Sequence, residues 1–474
     1  MQASRLGLMG LFLSGSCLLA RILEVPAEYS TIQAAIEASQ PSDTILVSPG
    51  VYHEHLVMKP GIQVRSKGSD EPGALGLKRA ETTILTGDGE NDNLPGVVMA
   101  SDSTLDGFTV TGIGSFDEVR WQQHWGEQGR NQVEEELDPP GIAAIIIKGL
   151  ICRIANNIIH DNGHTGIAIE GTEEAICSPH VSNNHCYRNM GAGIASTKGS
   201  SATILENRCF ENLHAGIGQD NASPLVLKND CYRNVRAGIG IRHGASPIVR
   251  GNRCYRNQRA GIGIRSGDAT RPVIENNDCF ENGMAGIGCR QEAAPVIRGN
   301  RCYHNELAGI GCSEKARPLI IDNHCYQNQA AGIGSEAAFP TLIGNRLEKN
   351  QTAGIGIAEQ SKAFMAGNHC VENKLVALGV RDNSQAILKG NLLARTGGMP
   401  PIVAILDQSD VVAIDNDIHG GGVAGVLLKG QLVAHGNRLK GNGGGRGVAI
   451  AQDAHATLED NDITGYRTAV DDQR

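Results

Sequence analysis

"AGIGIRHGASPIVRGNRCYRNQRAGIGIRSG", residues 237–267, contains one phrase twice: Asn-x-Cys-Tyr-x-Asn, then Ala-Gly-Ile-Gly. The Asn that opens the phrase recurs from Asn157 to Asn461, 304 residues in 13 steps. The mean period of about 23 residues lies in the range of stacked repeats. Each unit carries two short β-branched runs, such as Ile239 with Ile241 and Ile248 with Val249, separated by glycine or Ser-Pro. Runs this short leave no room for a helix of ten residues, so they read as strands. Pro224, Pro247, Pro272, Pro295, Pro318 and Pro340 each precede a second run, where a strand tolerates a missing donor. The expected fold is all-β, a single-stranded parallel β-helix in which equivalent residues stack about 4.8 Å apart.

The repeat also sorts inside from outside. The Cys of the phrase (Cys186, Cys209, Cys231, Cys254, Cys279, Cys302, Cys325, Cys370) gives way in other units to Leu347, Leu393, Ile418, Leu439 and Ile463. A position that exchanges Cys with Leu and Ile is an interior one, where a thiol behaves as a small hydrophobe. The same exchange speaks against a column of metal-binding thiolates. Stacking about 4.8 Å apart is too wide for disulfides. The flanking asparagines, Asn252 and Asn257 for example, are expected to form amide ladders at the turns.

These repeats resemble those of the pectin-lyase-like superfamily of right-handed parallel β-helices, which includes polysaccharide lyases, pectin methylesterases, alginate epimerases and nitrous oxide reductase accessory proteins. "VPAEYSTIQAAIEASQPSDTILVSPGVYHEHLVM", residues 25–58, is similar to the start of many members, where a short helix caps the first coil. Ser30 and Gln33 form a capping-box pattern ahead of Ala34, Ala35 and Ile36. The resemblance implies a fold and leaves the activity open. The Asp pair with Gly-His-Gly of the hydrolases and the methylesterase motifs are missing from this sequence.

Composition fits stacked coils: 40% of the 474 residues are hydrophobic but only 4% aromatic, and the 61 glycines are periodic. A net charge of −9 argues against nucleic acid as a partner. Residues 1–24 read as a signal-like segment, with an apolar stretch from Leu6 to Ala20. "LSGSC" offers a lipoprotein-type alternative ending at Cys17, although Ser14 stands where that motif wants an apolar residue. No other segment is expected to cross a membrane. The β-helix is assigned to residues 25–474, with an inserted loop at 115–140.

Three features carry candidate function. If Ile239 faces inward, Gly238 and Gly240 face outward, and the same pair recurs at Gly261 and Gly263, at Gly286 and Gly288, and in four further units. Such a strip reads either as a flat track for a long ligand or as a tolerated unit copied by duplication. Arg242, Arg265 and Arg290 follow the strip at one offset, and residues 184–305 carry a net charge of +7. That local excess suits an anionic ligand, although neighbours such as Asp220, Asp268 and Glu292 could also pair with the arginines. The loop at 115–140 holds both tryptophans, Trp121 and Trp125, with His124 between them. They suit either sugar stacking or plugging the loop onto the helix. His53 and His55 would share one strand face without an evident third ligand, so neither a metal nor a cofactor is expected.

Three function classes follow. The first is an exported protein that binds, and with Arg242, Arg265 or Arg290 as base could cleave, an acidic polysaccharide on Gly240, Gly263 and Gly288. The second is a non-catalytic scaffold whose glycine strip docks a protein. The third is a metal-delivery accessory protein, by resemblance alone.

Overall fold

Each unit lays down three short strands, one more than its β-branched runs predict. In the unit opened by Ile239 they are Ile239–Arg242, Ile248–Arg250 and Arg253–Tyr255. The last escapes a search for β-branched residues because a thiol, Cys254, supplies its single inward side chain. The computed structural model describes residues 20–87, 93–127 and 141–474. Its strands stack into three parallel sheets, called here the glycine, proline-led and cysteine sheets in the order just given. Register is strict: Ile239 pairs with Ile262, Val249 with Ile274 and Cys254 with Cys279. The result is a right-handed parallel β-helix whose proline-led sheet alone has 18 strands.

The core fills as the Cys exchange predicts. Cys186 through Cys325 form one inward column that continues into Leu347, Cys370, Leu393 and Ile418, all buried. All twelve described cysteines are free and buried. Pro247 and Pro272 lead directly into strands, and the Pro247 carbonyl accepts the Val273 amide at 3.0 Å.

Two asparagine ladders run inside the corners on either side of the cysteine sheet. The Asn252 Nδ2 donates to Asn277 Oδ1 at 3.0 Å and to the Val226 carbonyl at 2.9 Å, while its backbone N–H meets the same Oδ1 at 2.9 Å. This relay runs from Asn157 to Asn461. A parallel one runs from Asn162 to Asn373. The residue just before each ladder position turns left-handed, as at Glu206 (φ 55), Lys228 (φ 51) and Gly251 (φ 68). That conformation costs a side-chain-bearing residue about 1–2 kcal/mol, and the three hydrogen bonds of each Asn offset it.

The N-terminal helix α1 (Ile32–Ala38) buries Ile32, Ala35 and Ile36 on the first coil. Its cap is Thr31 rather than Ser30: the Thr31 hydroxyl accepts the Ala34 amide at 3.1 Å. Gln33 reaches away to accept the Val57 amide. Glu54 satisfies two first-turn donors instead, its carboxylate accepting the Ile32 and Gln33 amides at 2.9 Å each. The first strand, Ile22–Val25, pairs with Thr44–Val47 and so overlaps the end of the signal-like segment 1–24. Cys17 and residues 1–19 lie outside the described residues. Among the described residues no helix is long and apolar enough to cross a membrane. A second short helix, α2 (Lys78–Thr82), belongs to the early coils.

Candidate functional site: the face of the glycine sheet

The two glycines of Ala-Gly-Ile-Gly have different causes. Gly238 does not face outward. It sits buried at the corner before the strand, where an added Cβ would lie 2.8 Å from the Gly261 carbonyl oxygen and 3.1 Å from the Cys254 Cβ. Gly216, Gly261, Gly286, Gly309 and Gly332 repeat this contact with the next coil's carbonyl at 2.6 to 2.8 Å. Only glycine lets the coils close there, so half of the strip is architecture.

The second glycine does face outward. A Cβ on Gly240 would find its first neighbour, the Ala215 Cβ, 3.5 Å away, and one on Gly263 or Gly288 would find only alanine at 3.6 and 3.8 Å. Gly356 has nothing within 4 Å. The outward row runs in register from Gly218 to Gly379. Seven steps of about 4.8 Å make a track of about 34 Å floored by backbone.

Arg242, Arg265 and Arg290 border one margin in successive coils. The Arg265 amide donates to the Ile241 carbonyl and the Arg290 amide to the Ile264 carbonyl, both at 3.0 Å. The rung before Arg242 is Asp220, which takes the Arg242 Nε at 2.9 Å and lies 3.1 Å from the His243 Nδ1. Glu314 stands 3.9 Å from Arg290 at the other end. Of the acidic neighbours considered from sequence, Asp220 makes a close pair, whereas Asp268 offers its backbone carbonyl to Arg271. The opposite margin carries Arg236 and Arg259, stacked through the Arg259 amide and the Arg236 carbonyl. Sequence reasoning missed this second row, although Arg-Ala-Gly-Ile-Gly states it twice.

A third helix, α3 (Glu118–Gly126), lies against the corner beside that second margin. Trp121 is buried among Met190, Leu213 and Val235, and its indole donates to the Glu211 carbonyl at 3.0 Å. Trp125 stacks on it, with centroids 5.3 Å apart, and takes the Gln258 amide on its carbonyl. The Arg188 guanidinium lies 4.5 Å over the Trp121 ring. The pair fastens α3 to the solenoid and leaves Trp125 half-buried. Residues 128–140 of the predicted loop lie outside the described residues.

A family model described as right-handed β-helix region matches residues 138–270, 215–362, 248–393 and 334–471, together more than two-thirds of the sequence. The chain belongs to the right-handed β-helix family. No curated protein matches this β-helix in sequence. Among solved structures it is similar to the A-module of mannuronan C-5 epimerase AlgE6 from Azotobacter vinelandii. Identity there is 12%, coverage is 92% of this chain and 94% of that one, and the TM-score is 0.41. A periplasmic alginate epimerase, AlgG, is 13% identical over 82% and 83% of the two chains, with a TM-score of 0.39. Pectate lyase Pel9A is 16% identical over 68% and 75%, with a TM-score of 0.36. The fold assignment rests on the strand pairing and the family match.

The β-helix carries a second outward column that sequence reasoning missed. His160, Tyr187, Phe210, Tyr232, Tyr255, Phe280, Tyr303 and Tyr326 stack on the cysteine sheet, with centroids 4.7 to 5.0 Å apart and ring planes within 12°. Its signal was the Tyr or Phe that follows the Cys of each phrase from Cys186 to Cys325. The rings use their faces on one another, so only edges reach solvent and no face is left along the column for a sugar. Burial pushes the Tyr187 and Tyr232 hydroxyls up to about 12.

His53 and His55 are not on a strand face. Residues 53–55 link two strands, with the His53 Nδ1 2.7 Å from the Thr86 hydroxyl and the His55 Nδ1 2.9 Å from the Pro95 carbonyl oxygen. Glu54 between them is spent on α1. Among the described residues no three His, Cys, Asp or Glu side chains gather as metal ligands.

Proposed function

We propose that this β-helix is an exported protein that binds an acidic polysaccharide along the glycine sheet, the polymer lying on the row from Gly218 to Gly379 with its anionic groups on Arg242, Arg265 and Arg290. One observation carries the reading: at the outward glycines the fold has room for a methyl group, yet no Cβ is present. Glycine in a strand costs about 0.5–1 kcal/mol relative to alanine, and close approach of a ligand accounts for that cost. The arginine rows supply charge-assisted hydrogen bonds to carboxylates or sulfates. The signal-like residues 1–24 support export.

A protein partner is the weaker reading of this face. Its backbone groups already pair coil to coil, which leaves no strand edge for a peptide to extend.

The test is a panel of polyuronates, sulfated polymers and neutral glucans, with binding and released unsaturated or reducing ends measured together for the native protein and Arg265→Glu. Binding of the acidic polymers alone, weakened by salt and lost in the variant, is the expected result. Release of unsaturated ends would add lyase chemistry to the same track. Failure to bind any acidic polymer would overturn the proposal.

A further inference from the structure

A separate pocket opens on the outer face of the proline-led sheet in the early coils, lined by Gln63, Arg65, Thr104, Asp106 and Arg153. Register builds it from two adjacent outward columns. Gln63, Thr104 and Arg153 stack in one, and Arg65 and Asp106 in the other. Arg79 of α2 anchors it from below. Its buried guanidinium donates to the Ser66 hydroxyl at 3.0 Å, to the Asp106 carbonyl at 2.8 Å and to Asp106 Oδ1 at 2.8 Å, and its Nε meets Asp70 at 2.5 Å.

The charges there do not close. Arg65 donates to Asp70 at 2.8 Å, so Arg65 and Arg79 share Asp70 and Asp106. Arg153 remains, exposed at the rim: its backbone amide donates to the Ser103 carbonyl at 2.9 Å, but its guanidinium makes no hydrogen bond or ion pair among the described residues. The next rung of its column, His180, is held below its ordinary pKa by burial and by the Arg153 charge. Asp106 is used on one side only. Its Oδ1 takes Arg79 and, at 2.7 Å, the Asn156 amide, whereas Oδ2 has only Arg65 at 3.8 Å.

We infer that this pocket binds one hydroxy-carboxylate unit, its carboxylate on Arg153 and Arg65 and its hydroxyls on Asp106 Oδ2, Thr104 and Gln63. A guanidinium fork matches a carboxylate, and the unsaturated Asp106 oxygen beside it accepts from a hydroxyl. A simple inorganic anion would use the arginines and leave Asp106 repelling it. The site lies on a different sheet from the glycine track and stands or falls independently of the polysaccharide reading.

The experiment titrates the full chain with glucuronate, lactate, acetate and glucose by calorimetry. The variants are Arg153→Gln and Thr104→Val, with Arg265→Gln as the track control and thermal melts confirming each fold. Glucuronate binding is expected to weaken at least about tenfold in Arg153→Gln, to weaken in Thr104→Val and to be unchanged in Arg265→Gln, with acetate weaker and glucose silent. Glucuronate tighter than lactate assigns a sugar acid, and equal affinity assigns a free hydroxy acid. Unchanged binding in Arg153→Gln, acetate binding as well as glucuronate, or no binding of either hydroxy-carboxylate overturns the inference.

Discussion

A Cβ added at Gly238 would press on the Gly261 carbonyl oxygen at 2.8 Å, whereas one added two residues later at Gly240 would touch only the Ala215 Cβ at 3.5 Å. Gly238→Ala is therefore expected to destabilise by about 1–3 kcal/mol, because the contact is backbone and a coil must shift. Gly240→Ala should stabilise slightly, by about 0.5–1 kcal/mol. Thermal melts of the two variants separate the glycine the fold needs from the one it does not.

The asparagine relay makes a second prediction. Asn252→Ala removes the acceptor used by both the side chain and the backbone N–H of Asn229, and removes the donor to Asn277. Leaving those buried groups unpaired costs about 1–3 kcal/mol. In a solenoid the damage stays local. Hydrogen exchange should show lost protection at residues 229–230 and 277–278 and unchanged protection beyond Asn345.

The buried thiols set a pH limit. Burial raises Cys209, Cys231 and Cys254 well above the ordinary thiol value of 9.0. Above that pH the unfolded chain sheds thiol protons that the folded chain keeps, so unfolding releases protons and stability falls as pH rises. Melting temperature should decline above about pH 9, and replacing Cys231 and Cys254 with Val should flatten the decline. In the native protein at pH 8 these thiols should resist an aromatic disulfide reagent until denaturant is added.

Trp121 is expected to hold α3 and little else. Trp121→Ala should expose Glu118–Gly126 to rapid hydrogen exchange while the main melting transition moves by no more than a few degrees. A large loss of solenoid stability would instead place α3 within the cooperative core.

Most of the fold was legible because a solenoid repeats its logic in the sequence. The exchange of Cys254 with Leu347 and Ile418 marked the interior, and Asn252 and Asn257 marked the corners. The third strand was not legible, since a single inward Cys254 gives no β-branched signature. The cause of Gly238 was hidden for another reason: its obstacle, the Gly261 carbonyl, belongs to the next coil. Arg65, Asp106 and Arg153 span 88 residues in coils of irregular length, so nothing periodic brings them together in the sequence. The aromatic column is periodic in the sequence too: from Cys186 to Cys325 each ring stands next to the Cys of its phrase, as Tyr255 stands next to Cys254.

The proposed role of the outward glycines is to carry an anionic polymer. Its most direct test is polyuronate affinity of a variant carrying Gly240→Val, Gly263→Val and Gly288→Val, whose side chains project only into the track. Loss of binding with a melting temperature no lower than that of the native protein is the predicted result. Binding as tight as that of the native protein, with three side chains standing on the track, would contradict it.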